Sequence, residues 1–391
     1  MKMPGTICVT GGGPAGLMAA IAAARSGSVV TVMDHSGGAG TKLLLTGGGR
    51  CNITCFLHSA DFVGLLGPKG RFLGHALASM SPGATREFFG QAGVPTTVEA
   101  DGRVVPVSQR AVDVRRALLE MAATLGVRLQ TSVDVTGIKR LDDGWAVTTG
   151  SGSHRFDKVI LATGGMSYAS TGSDGSGYRL ATALGHTLTR PVPAEVPLIS
   201  ADLDTSRLQG LSVEPVAISI NADRRPRTRG SLLFTHFGLS GPAVLDISGD
   251  VSRMLDEGTP VTLSIDLLPD TPAKEVDEML QSDPRCIQGR LPSRLAAFLK
   301  DGAISDWRPG RPNPIKRFTV KIARTRGFDH AMVTRGGIVT GEIDPATMQS
   351  RLHPGLFFAG EILDLDGPMG GFNLQIAWAT GHLAGTSASA G

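Results

Sequence analysis

Residues 42–55 read KLLLTGGGRCNITC and gather three glycines, two cations and two cysteines into one short stretch. Such a set can form a redox disulfide, help to hold a metal, or expose backbone N–H groups as a cradle for an anion. A metal needs more soft ligands than Cys51, Cys55 and His58 supply, and no second cluster follows, so no metal is expected. The C-x-x-x-C spacing lets Cys51 and Cys55 meet across one helical turn, which leaves a working dithiol open, with Cys51 catalytic. We read the stretch as a cradle: Gly47, Gly48 and Gly49 offer N–H groups, and Asn52 closes the run. Lys42 and Arg50 add positive charge for a pyrophosphate or a substrate. His236, in LFTHFGLSGP, is the best-placed acid or base, its alternative being a packed structural histidine. His35, His186 and His382 belong to no constellation and read as structural.

The elements that must position these groups begin at the N-terminus. TICVT is a β-branched apolar run suited to a buried parallel strand. It is followed by G-G-G-P-A-G at 11–16, a helix of small apolar residues, and the strand VVTVMD ending in Asp34. Strand, G-x-G-x-x-G, helix, strand and acid stand in the order of a dinucleotide fingerprint. Gly11 serves the tight turn, Gly13 the approach of a diphosphate, and Gly16 close helix packing. Pro14 and Ala15 open the helix whose N-terminus favours phosphate. Asp34 can accept both hydroxyls of an adenosine ribose.

Two later segments turn the dinucleotide into FAD. DKVILATGG, at 157–165, is a buried strand ending in Ala162, Thr163, Gly164 and Gly165. GLFFAGEILDLDGPMGGFN, at 355–373, is a strand followed by Gly360 and Glu361, then by Gly370, Gly371, Phe372 and Asn373 at the head of a closing helix. With the first motif these resemble the two-dinucleotide-binding-domain flavoproteins. The resemblance implies that the A-T-G strand lies against FAD, that Glu361 bonds the ribityl chain, and that the closing helix points its N-terminus at the flavin ring. A helix N-terminus there stabilises the anionic reduced flavin. Val135 is counted among the cofactor-binding residues as well.

KLLLTGGGRCN, LFTHFGLSGPAVL, AMVTRGGI, EIDPATMQS and the 355–385 block together are similar to one bacterial family, the BaiN/YhiN-like or aminoacetone oxidase flavoproteins. The matching blocks run from residue 7 to about the C-terminus. Ser231, Met369 and Phe372 depart from the family pattern, which has Glu, Thr and Tyr there. Family members usually carry another residue at the position of Cys55, which places Cys55 outside any shared mechanism.

The expected fold class is α/β: a Rossmann-like FAD-binding domain with an inserted β-barrel-like unit and a small helical unit. The FAD domain takes 1–190 and 341–391, the β-rich insert 191–270 with return strands at 316–340, and the helical unit 271–315. RPVPAEVPL marks the exit, and VEPVAISIN and TPVTLSIDL read as short strands. Fifty-two glycines exceed an average share, and 41% hydrophobic residues imply a substantial core. Four cysteines without a framework suit a reducing compartment. The N-terminus lacks a signal-peptide pattern and the longest apolar run is too short for a bilayer, so a cytoplasmic protein without a membrane partner is expected.

Residues 284–328 carry eleven Lys or Arg against Asp301 and Asp306, and Arg224, Arg225, Arg227 and Arg229 form a second basic cluster. An RNA-binding surface would use these cations for phosphates and Trp307, Phe318 and Phe328 for stacking on bases. Four functions follow. The first is an FAD oxidoreductase passing hydride through flavin N5 from NAD(P)H to an unsaturated small molecule. The others are reduction of a ribosomal-RNA uridine, an activity the resemblance allows, amine oxidation, and a non-catalytic flavin sensor. No second G-x-G-x-x-G follows a strand, so NAD(P)H would bind transiently in the substrate cleft.

Overall fold

The structure is a computed structural model describing residues 4–221, 227–282 and 287–390. The chain forms two compact units, Met1–Pro191 with Val333–Gly391, and Val192–Met332.

In the first unit, TICVT becomes β1 (Thr6–Thr10), PAGLMAAIAAAR becomes α1 (Pro14–Arg25) and VVTVM becomes β2 (Val29–Met33). Later come α2 (Ala111–Thr124), β3 (Arg128–Gln130), β4 (Lys158–Leu161) and α3 (Ser176–Ala183). Near the C-terminus lie β5 (Leu356–Phe358) and α4 (Phe372–Ala390). The sheet runs β5-β4-β1-β2-β3, every pairing parallel. Its central strands are almost wholly buried, as strands covered on both faces must be.

Small residues set the spacing of the layer on this sheet. A side-chain carbon at Gly381 of α4 would fall 2.3 Å from the Ala15 carbonyl oxygen, and one at Gly385 would fall 2.2 Å from that of Ala19. Helices α1 and α4 therefore touch backbone to backbone, and the small residues of both are explained by that contact. The first unit also holds two three-stranded antiparallel sheets, one of them containing Val135–Leu141.

The second unit is built on a closed antiparallel barrel. Its strands, in order around the barrel, are Leu198–Ser200, Gly238–Ser240, Thr228–Phe234, Ser212–Ile220, Val261–Asp266 and Phe318–Thr325. Closure leaves no unpaired sheet edge. A helix at Pro242–Asp256 turns Ala243, Val244 and Ile247 into the core. Helices Ala273–Ser282 and Ser293–Asp301 place Val276, Leu280, Leu295 and Leu299 in that same core. Both helices thus share one hydrophobic core with the barrel strands.

Among the described residues no helix is long and apolar enough to cross a membrane.

Candidate functional site

The turn between β1 and α1 is shaped by what touches it. Gly11 has φ +96°, and a side-chain carbon there would lie 2.5 Å from the Ala162 carbonyl oxygen. One at Gly16 would fall 1.9 Å from the Gly11 carbonyl oxygen. Gly13 is different: a side-chain carbon would meet no atom within 4 Å. Its backbone is ordinary, at φ −74°, so glycine there serves neither strain nor packing. It leaves space above the N-terminus of α1, where unpaired N–H groups and the helix dipole favour an anion.

Asp34 follows β2 and closes on the same turn, accepting hydrogen bonds from Gly12 N–H and from Ser36 N–H at 2.8 Å. The chain leading to Val135 runs beside it, with Val133 N–H donating to the Asp34 carbonyl at 3.0 Å. The structure thus brings Asp34, Gly13 and the Val135 approach to one end of the sheet.

The A-T-G segment leaves β4 beside Gly11. Thr163 Oγ1 is buried with no hydrogen-bond partner among the described residues, and so is Asn52 Oδ1. A buried polar atom without a partner is costly unless a ligand or water supplies one. Gly48, at φ +65°, also faces open space. Orphaned polar atoms, open glycines and a bare helix N-terminus are what a dinucleotide cradle requires, and these residues fit FAD.

Glu361 is the centre of a network that the sequence does not reveal. Its Oε2 accepts from Lys42 Nζ at 2.8 Å, and its Oε1 accepts from Thr334 N–H at 2.7 Å and Ser167 Oγ at 3.1 Å. Lys42 Nζ also donates to Ser167 Oγ at 2.6 Å. Thr334 Oγ1 in turn accepts from Met166 N–H at 2.8 Å and Ser167 N–H at 3.1 Å, just after Gly164 and Gly165. Three segments are thereby tied to the residue after Gly360. Ser167 and Thr334 were missed by the sequence reading. Their only signal is position, one directly after ATGGM and the other inside AMVTRGGI.

Lys42 is paired with Glu361, and Arg50 with Glu99 at 2.7 Å. Each charge is thus partly met within the protein, Glu99 being shared with Arg103 at 3.1 Å. Cys51 and Cys55 are free thiols, both buried. Burial pushes the Cys51 thiol up to about 12, against a smaller opposing bond with Thr46, and pushes Cys55 up to about 11. A thiol held protonated is a poor nucleophile at neutral pH, and the burial of both thiols favours the cradle reading over the dithiol. Cys51 occupies a left-handed position at φ 66° in the turn after the glycines.

Around the head of α4, Gly370 and Gly371 both have positive φ. Phe372 stacks on Phe62 with centroids 4.7 Å apart. The Asn373 side chain clasps Gly367, accepting from its N–H at 2.9 Å and donating to its carbonyl at 3.0 Å. That loop is held from the other side by Asp366, which takes Lys69 Nζ at 3.1 Å and Arg335 Nε at 2.7 Å.

His236 belongs to the second unit, in the turn between two barrel strands. Its ring is exposed and stands edge-on to Phe237, and its carbonyl accepts from Thr205 Oγ1 at 2.9 Å. The aromatic part of the basic surface needs correction. Phe318 is buried in the barrel core, and Trp307 packs against that core while donating to the Arg311 carbonyl at 3.2 Å. Phe318 cannot stack on a base. Arg227, Arg229, Arg290 and Lys316 are paired with acids. Lys321 and Arg324 are exposed. Arg224 and Arg225 lie outside the described residues.

A parallel sheet with a glycine turn at β1–α1, an acid after β2 and a long closing helix defines an FAD-binding flavoprotein fold. The profile of the HI0933-like protein Rossmann domain matches residues 5–387. The chain belongs to that family and is an FAD-dependent oxidoreductase. It is 34% identical over 406 residues, covering 98% of each chain, to a Clostridium scindens protein named 3-dehydro-bile acid delta(4,6)-reductase. It is 29% identical, over 95% of each chain, to an Escherichia coli protein named ribosomal RNA dihydrouridine synthase. Among solved structures its fold is similar to 3-ketosteroid delta1-dehydrogenase from Sterolibacterium denitrificans, with TM-score 0.54 and 12% identity, covering 99% of this chain and 100% of that one.

Proposed function

We propose that this flavoprotein reduces an unsaturated small molecule with electrons from NAD(P)H. The observation that carries the reading is the full-length likeness, at 34% identity, to a relative named as a delta(4,6)-reductase. FAD, when bound, would supply two-electron hydride chemistry. The protein's own part is positioning and electrostatics. In this reading Gly13 and the N-terminus of α1 hold the diphosphate, Asp34 the adenosine ribose, and Glu361, fixed by Lys42, Ser167 and Thr334, the ribityl chain. The N-terminus of α4 favours negative charge near it. His236 is the candidate proton donor to the substrate. With no second dinucleotide fingerprint, donor and acceptor use one site in turn, which predicts ping-pong kinetics.

The test is anaerobic titration of the yellow protein with NADH and then NADPH. Bleaching by either supports the reading. Persistent colour with both, or bleaching by an amine instead, overturns it.

A second reading, reduction of a uridine in ribosomal RNA, is favoured by two relatives of that name at 29% and 28% identity and by the exposed Lys321 and Arg324. It requires an affinity for ribosomal RNA that falls steeply with salt. Loss of that affinity in a Lys321→Ala, Arg324→Ala double variant would support it.

A further inference from the structure

Arg115, on α2, is not marked by any motif, yet it lies against the loop that borders the glycine turn. Its Nε donates to the Ala39 carbonyl at 2.7 Å. A side-chain carbon at Gly38 would fall 2.9 Å from its Nη2, and one at Gly40 would fall 3.2 Å from its Cγ. The side chain is therefore flush with residues 38–40. That loop in turn touches the turn itself: Gly40 N–H donates to the Gly12 carbonyl at 2.8 Å, and Ala39 limits the space beside Gly12.

The guanidinium is partly buried and, among the described residues, has no carboxylate partner. Acids adjacent in sequence or at the same turn are occupied elsewhere. Asp113 takes Arg116 at 2.7 Å, and Asp34 takes Gly12 N–H and Ser36. A partly buried cation normally has its charge met. Arg115 spends one of its five donors on Ala39 and keeps a planar fork suited to phosphate. The loop it holds is bonded to the carbonyl of Gly12, one residue before the open space at Gly13.

We infer that Arg115 has two roles at the adenosine-diphosphate half of FAD. It latches the 38–40 loop onto the glycine turn, and it supplies positive charge beyond that of Lys42 and Arg50, which are paired. This rests on the reading of the Gly11–Gly16 turn as the diphosphate cradle.

The test compares the parent protein with Arg115→Gln and Arg115→Lys. Affinities are measured for FAD, and for ADP and FMN as probes of the two halves, at low and high salt. Glutamine can still donate to the Ala39 carbonyl but carries no charge. The expected result is an approximately tenfold weaker affinity of Arg115→Gln for both FAD and ADP, with a flatter salt dependence. FMN affinity should be unchanged, and Arg115→Lys should recover much of the loss. Parent-like FAD and ADP affinity in Arg115→Gln overturns the charge role, and an equal loss for FMN and ADP reduces Arg115 to general stability. A parent protein that binds FMN but not ADP refutes the cradle reading itself, which is a different outcome from either.

Discussion

Removing Lys42 should expose how strongly the network around Glu361 is coupled. Lys42 and Glu361 stand 2.8 Å apart with side chains only 19% and 23% exposed, so water screens them less than a surface pair. Exposed pairs contribute about 0–1 kcal/mol and fully buried ones lose about 3–5 kcal/mol when one partner is deleted, which places Lys42→Met at a loss of about 2 kcal/mol. Glu361 would retain its bonds from Ser167 and Thr334 N–H, but with an uncompensated charge. Glu361→Gln keeps acceptor capacity and removes that charge, so the double variant should recover part of the loss. The assay is a double-mutant cycle by urea unfolding of the FAD-free protein, with a coupling of about 1–2 kcal/mol expected. The same variants should lose FAD affinity without a change in elution volume. Additivity within about 0.5 kcal/mol would refute the claim that the two side chains act as a unit.

Gly13→Ala should fold with unchanged unfolding midpoint but lose FAD affinity more than tenfold, because its methyl group enters space that no protein atom fills. Gly16→Ala should instead fail to accumulate as folded protein, since the added carbon collides with the Gly11 carbonyl. Cys51 and Cys55 should resist a thiol reagent in the native protein and react only on unfolding, and Cys55→Ser should keep its flavin content. Acidification should destabilise the protein. Burial lowers the His186 pKa, against the raising effect of Glu342, whose Oε2 lies 3.0 Å from Nδ1. The unfolded state therefore takes up a proton first as pH falls below about 6.5, and stability declines until the folded imidazole also titrates. Burial raises the Glu342 pKa, but bonds from Thr187 N–H and His186 outweigh it and leave it lowered, so its contribution is lost below about pH 4.5. In urea midpoints measured against pH, His186→Gln should flatten the upper window and shrink the lower one, which the Thr187 N–H bond still sustains. His236→Asn should lower turnover while leaving flavin content unchanged.

The β1–α1–β2 unit was legible because its rules are local. A buried strand, spaced glycines and a terminal acid constrain one another within some thirty residues. The pairing of Lys42 with Glu361 spans 319 positions, and no spacing rule links residues so far apart. Hence Lys42 read as a free cation, and Ser167 and Thr334 went unnoticed. The burial of Cys51 was equally hidden, since C-x-x-x-C says nothing about what packs over it. Phe318 was a different failure. In FTVKIA the alternation Phe318, Val320, Ile322 marks one buried strand face, and the aromatic-with-basic composition drew attention away from it. Barrel strands were readable as short alternating runs, but their order depends on tertiary pairing such as that of Leu198–Ser200 with Phe318–Thr325.

The measurement that bears most directly on the proposed reaction is a single turnover without oxygen. The protein is reduced in advance and mixed in separate runs with a conjugated enone and with unmodified ribosomal RNA, while the return of the yellow colour is followed. The account predicts rapid reoxidation by the enone, with one equivalent of saturated product per flavin. Reoxidation by the RNA alone, or by neither acceptor, would contradict it.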